Sequence, residues 1–187
     1  MRVRAFQIFI FATALSFVSA LHSHGTLSNG HRYAVNFSDV DGRPLSTADG
    51  HVTVLVLTTT EDSARAHAVA DHVPDYCLGN ENYRMITVLQ FRKTHSRFGR
   101  AVVMMLIRHR LDEEAKRLQT RYDAMKIARP ARQDVHVVAD FDGAVTAQLG
   151  AESGIAPFHV FVFGRDGELI HQWDDVPRAE ELAAAVK

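Results

Sequence analysis

Two rhythms of apolar positions run along the chain. Val52 to Leu57 is an almost unbroken apolar run, as are Met85 to Phe91, Val135 to Ala139 and Phe158 to Phe163. Continuous rather than alternating runs of this length predict strands buried on both faces. Tyr33 to Phe37 alternates instead, as a half-buried strand does, and Glu168 to Trp173 follows the turn Gly164-Arg165-Asp166-Gly167 as the partner strand of a hairpin. Between these runs the spacing changes to the helical period. It predicts helices over Glu61 to Val73, about Arg100 to Ala128, Asp140 to Leu149 and Arg178 to Val186. Thr60 is placed to cap the first of these, with Glu61 and Asp62 complementing the helix dipole. Pro74 follows its end, and Asp39-Val40-Asp41-Gly42 reads as a turn. Strands alternating with helices, then a hairpin and a last helix, predict a three-layer α/β domain with a mixed sheet.

The long helical stretch has two characters. Leu111, Ala115, Leu118, Tyr122 and Met125 form one apolar stripe, with Asp112, Glu113, Glu114, Lys116 and Arg117 on the solvated side. Ala101 to Ile107 is apolar all round. That segment can be a buried helix, a strand, or a surface that covers a partner or a membrane.

The N-terminus follows neither rhythm. Met1-Arg2-Val3-Arg4 is cationic, Ala5 to Val18 is nearly all apolar, and Val18-Ser19-Ala20 supplies small residues. This is the pattern of a secretory signal peptide, with cleavage expected after Ala20. Fourteen residues make a helix of only about 21 Å, short of a bilayer's roughly 30 Å apolar core. The alternative is an uncleaved anchor; a lipoprotein is disfavoured because no Cys stands at the cleavage site. The expected organisation is a signal peptide at 1–20, a loose His/Ser/Gly-rich segment at 21–32, and one domain over 33–187 in the periplasm or outside the cell.

Composition narrows the function. The 187 residues carry a net charge of -1, with 47% hydrophobic and 23% charged residues, which suits a globular domain and gives no field for nucleic acid. The single cysteine, Cys77, excludes an intramolecular disulfide and any metal site built from several Cys. No cofactor-binding motif was found, so no cofactor is expected.

Ile155-Ala156-Pro157-Phe158 and the strand, turn and strand that follow to Ile170 resemble the C-terminal half of a thioredoxin fold. Phe37 to Leu45 resembles the N-terminal β-hairpin of exported thiol oxidoreductases and peroxiredoxins, and Val135 to Gly150 is similar to the strand and helix before the family's proline. The resemblance covers Tyr33 to the C-terminus, and Thr94 to Pro130 fits as an enlarged helical insertion. It implies a thioredoxin-like α/β/α architecture with a cis proline at Pro157, at a loop where the family pairs with extended peptides. A protein or peptide partner near Ala156-Pro157 is therefore one reading; a proline kept only for the fold is the other.

The same resemblance places the family's Cys-x-x-Cys at Thr60-Glu61-Asp62-Ser63. Dithiol exchange needs a thiolate to attack and a second thiol to resolve the mixed disulfide. Thr and Ser hydroxyls do neither, and Glu61 and Asp62 add charge that opposes a thiolate. The resemblance implies the fold, while these residues imply a redox-inactive site, which makes a protein-binding or scaffold module the leading expectation and a non-enzyme the leading class. The alternative is an oxidoreductase or peroxidase-like protein using Cys77 with a partner thiol. Against it, Cys77 lies after the whole first helix and can be a small packed residue.

Other chemistry is thin. His22, His24 and His31 could hold Cu or Ni weakly, but no further ligands can be placed, and no metal is expected. His67 and His72 are five apart, poor spacing for one helix face. His136, His159 and His171 read as strand residues. No base and orienting group can be placed beside Thr60 or Ser63 for hydrolase chemistry. No nucleic acid partner is expected, nor a membrane one unless the signal segment stays attached.

Overall fold

A computed structural model describes residues 27–91, 95–151 and 158–187. The signal segment, residues 21–26 and the Ala156-Pro157 loop lie outside the described residues, as does the geometry of the proline.

Among the described residues seven strands and four α-helices follow one another. They are β1 (Asn36–Ser38), β2 (Pro44–Ser46), β3 (Val52–Thr58), α1 (Ser63–His72), β4 (Tyr83–Gln90), α2 (Arg97–Ala124), β5 (Val135–Asp140), α3 (Ala144–Gln148), β6 (His159–Phe163), β7 (Leu169–Trp173) and α4 (Ala179–Ala185). The main sheet has the order β5-β4-β3-β6-β7. The β3–β4 and β4–β5 pairs are parallel, while β3–β6 and β6–β7 are antiparallel. β1 and β2 form a separate antiparallel hairpin with Phe37 opposite Leu45.

The expected mixed sheet follows from chain chemistry. Each parallel pair needs a helical crossover, and α1 and α2 supply the two. The unbroken run of β3 is buried on both faces: Leu55 and Leu57 pack with Phe37, Leu45, Ile86, Val88 and Phe161 on one side. Val54 and Val56 pack with Val69, Val160, Val162 and Leu182 on the other. A third cluster joins Ile107 and Leu111 of α2 to Val137 of β5 and to Val40 of the hairpin turn.

Several boundaries differ from the sequence pattern for identifiable reasons. The alternating strand expected over Tyr33 to Phe37 shrinks to Asn36–Ser38, because residues 30–33 pair elsewhere: the Gly30 N–H donates to Leu169 O (2.8 Å) and the Tyr33 N–H to Gly167 O (2.8 Å). The helix expected from Asp140 is only α3, since Asp140 ends β5 and turns its buried carboxylate onto the Thr146 N–H (2.8 Å) and hydroxyl (2.6 Å). α2 starts at Arg97, with Ser96 Oγ accepting from the Gly99 N–H (3.1 Å) as its cap. Ala101 to Ile107 is helical: Ile107 faces the core, while Met105 and Leu106 are 62% and 54% exposed. With Phe98 and Val102 these make an apolar stripe on the outer side of α2, opposite its buried face. Among the described residues no helix is long and apolar enough to cross a membrane.

Candidate functional site

The end of β3 delivers the chain to Thr60-Glu61-Asp62-Ser63 at the start of α1. The capping differs. Thr60 is exposed and α1 begins at Ser63, so Asp62 is the N-cap residue and no side chain caps the first turn. Thr58 and Thr59 are buried instead, and the Thr59 hydroxyl donates to Asp62 Oδ2 (3.1 Å). Asp62 is thereby turned back toward the strand, away from the free N–H groups of the helix.

Arg65, unremarked in the sequence, ties this corner together. Its guanidinium lies 3.5 Å from Asp62 Oδ1 and donates to Asp175 Oδ1 (2.8 Å) and the Asp174 carbonyl (3.2 Å). It also stacks over Phe158, 4.1 Å from the ring centre. His159 Nδ1 sits 2.8 Å from Asp174 Oδ1. The helix start is therefore wired by charge to the loop before α4. No signal within a local window links residues about 110 positions apart, and only the antiparallel β6–β7 return brings them together. Among the described residues the corner offers ion pairs and hydroxyls, and the hydroxyl that meets a carboxylate, that of Thr59, belongs to a buried residue. Among the described residues no cluster of His, Cys, Asp and Glu suits a metal ion.

Cys77 closes a short 3-10 turn, Asp75–Cys77, beyond α1. It is buried among Val73, Val54 and Val186. Burial pushes its thiol up to about 11, the opposite of what an attacking thiol requires. Ser63 and Cys77 do not meet; they lie at opposite ends of one groove.

That groove runs between α1 and α2 over the sheet and encloses about 830 Å³. Thr60 and Ser63 stand at one end, Cys77 and Tyr122 at the other. Its floor is β4 with the adjoining parts of β3 and β5, and its α1 wall is low because Ala66 and Ala70 are small. α2 is held away, over β5 and the turn before it. The Tyr122 hydroxyl donates to Asp134 Oδ2 (2.7 Å) and Gln119 Oε1 accepts from the Ala131 N–H (2.9 Å). Sequence reasoning missed the groove because it depends on where one long helix settles across the sheet.

No family model matches the chain, and no curated protein matches it. Solved structures do. A protein described as the thiol:disulfide interchange protein DsbE from Chlorobium tepidum is 15% identical, with 87% of this chain and 100% of that chain covered at a TM-score of 0.51. Peroxidoxin BcpB from Mycobacterium tuberculosis is 16% identical, with 86% and 94% covered at 0.50. A protein described as an electron transfer protein from Aquifex aeolicus is 14% identical, with 85% and 96% covered at 0.51. The chain has a thioredoxin-like fold, related in architecture to thiol oxidoreductases and peroxiredoxins, and it carries one cysteine.

Proposed function

We propose that this chain is an exported thioredoxin-like protein without dithiol chemistry that works as a binding module. One observation carries the reading: the helix start where the fold's thiols act holds Thr60-Glu61-Asp62-Ser63, built into an ion-paired corner with Arg65 and Asp175. The sole thiol, Cys77, is buried and disfavoured as a thiolate, which speaks against a Cys77-based oxidoreductase. Export is supported by the cationic start and apolar run of residues 1–18. A peptide partner at Ala156-Pro157 belongs to the same reading, since backbone groups there can pair with an extended strand without any thiol.

The test is reductase and peroxidase turnover by the purified chain, with insulin and hydrogen peroxide as substrates. No turnover above the buffer rate is expected, and turnover abolished by Cys77→Ser would sink the reading. N-terminal sequencing of protein recovered from cells is expected to start at Leu21; an intact Met1 would remove the cleavage.

A further inference from the structure

β4 lies inside a parallel stretch of sheet, where both faces are ordinarily covered. One face obeys: Ile86 and Val88 are 0% exposed. The other does not. Met85, Thr87 and Leu89 are all partly exposed, and all three line the groove between α1 and α2. On the same face of neighbouring β3, Val54 and Val56 are buried. The uncovered strip runs along β4 and reaches Val52 of β3 and Val135 of β5, which are partly exposed and line the same groove; it exposes apolar side chains near the centre of a sheet, an unfavourable surface to leave against water.

Two groove-lining charges have no ion-pair partner among the described residues: Arg110 on the α2 wall, towards the Thr60 and Ser63 end, and Asp71 on the α1 wall, nearer the Cys77 end. Arg117 pairs with Glu114 (3.2 Å), which also lies 3.6 Å from His67 across the groove. Arg121 pairs with Asp75. Arg110 lines the same wall, is exposed, and has no ion-pair partner among the described residues. An apolar floor with an unpaired guanidinium at the end away from Asp71 matches a molecule with an apolar tail and an anionic head. The volume is in the range of small-molecule sites, and a guanidinium binds a carboxylate through two parallel hydrogen bonds.

The geometry points to a binding site for a single-chain anionic amphiphile, its tail along Met85, Thr87 and Leu89 and its head at Arg110. This rests on reading the chain as a binding module, and it names a ligand class for it. A second copy of the chain is a poorer occupant, because the strip is recessed between two helices rather than presented on a face.

Calorimetric titration of the full chain with dodecanoate, below its micellar concentration, tests the site, with dodecanol as the uncharged probe. Saturation at one dodecanoate per chain is expected, with dodecanol roughly tenfold weaker. Arg110→Gln is expected to bring dodecanoate down to the dodecanol level. Ala70→Trp from the α1 wall and Thr87→Phe from the floor are each expected to weaken both probes at least roughly tenfold. Two fillings from different elements keep the test valid if one variant fails to fold, with circular dichroism as the check. Absence of saturable binding overturns the site. So does binding that survives both fillings, equal affinity for the two probes, or a concentration-dependent dimer in sedimentation that Ala70→Trp abolishes. Insulin reduction measured on the same samples reports separately on the dithiol reading: turnover there with dodecanoate still bound removes redox inactivity and leaves the groove.

Discussion

Arg84 grips Asp49 with both arms of its guanidinium: Nη1 donates to Oδ2 at 2.8 Å and Nη2 to Oδ1 at 2.7 Å. The contact joins β4 to the loop between β2 and β3, and Arg84 also donates to the Ser46 carbonyl. Burial works to raise the carboxyl of Asp49, but Arg84 and His51 outweigh it and lower it from an ordinary 3.8 to about 2.

A carboxylate depressed in the folded state stabilises the fold fully above its unfolded value. That stabilisation is lost as pH falls from about 4 to about 2. Asp49 is about one-third exposed, so screening reduces its contribution to about 1 kcal/mol. Asp49→Asn is expected to cost about 2 kcal/mol at pH 7, the excess coming from Arg84, only 7% exposed, losing its counter-charge. Urea unfolding between pH 2 and pH 7 checks both parts: the variant's acid limb should be flatter than that of the parent chain.

Cys77 should resist labelling. With its thiol pushed from 9.0 to about 11, the thiolate fraction at pH 8 is roughly a hundredfold below that of an unperturbed thiol, before burial slows access further. Iodoacetamide modification of the native chain is expected to be at least that much slower than in guanidinium. Equal rates would show that the 75–77 turn opens freely.

Tyr122 spans the far end of the groove. Its hydroxyl accepts from the Gly79 N–H (2.8 Å) while donating to Asp134. Tyr122→Phe leaves the Gly79 N–H unpaired and takes one of two partners from Asp134, which keeps Arg129 (2.9 Å); it is expected to cost about 1–3 kcal/mol in thermal or urea unfolding. Burial, reinforced by Asp134, raises the phenol, so the tyrosinate absorbance of the native chain at pH 11 should be the same with and without Tyr122→Phe.

Gly167, in the β6–β7 turn, has φ +81, and a Cβ there would stand 2.6 Å from Tyr33 O and 2.9 Å from Ala48 Cβ. Gly167→Ala combines left-handed strain with a backbone clash and is expected to lower stability by about 2–3 kcal/mol. A neutral result would mean that residues 31–33 can lift off the turn.

Side-chain periodicity made the strands legible because burial on both faces leaves its mark locally: the run from Val52 to Leu57 needs no knowledge of its neighbours. The helix starts were less legible. Thr60 and Asp140 have capping chemistry, but the hydroxyl of Thr59 and the backbone of Thr146 compete for the nearby carboxylates, and a sequence window does not rank such rivals. Thr60 to Ser63 could be placed through the resemblance. The Arg65–Asp175 pair and the groove could not, since both come from the packing of segments distant in the chain. The all-round apolar Ala101 to Ile107 was ambiguous for a similar reason: one side meets β5 and the other meets solvent, which the residues themselves do not distinguish.

Residues 30–33 lie along β7. Gly30 and Tyr33 donate to it and to its turn, while the Leu169 N–H returns a bond to His31 O (2.8 Å). At the opposite margin the Val40 N–H donates to Val137 O on β5 (2.8 Å). Backbone groups on both outer strands are thus already engaged by the N-terminal part of the same chain. A sheet blunted in this way offers little template for another molecule's strand. The N-terminal part of the chain thus shields a portion of each margin, at Leu169 on one side and Val137 on the other.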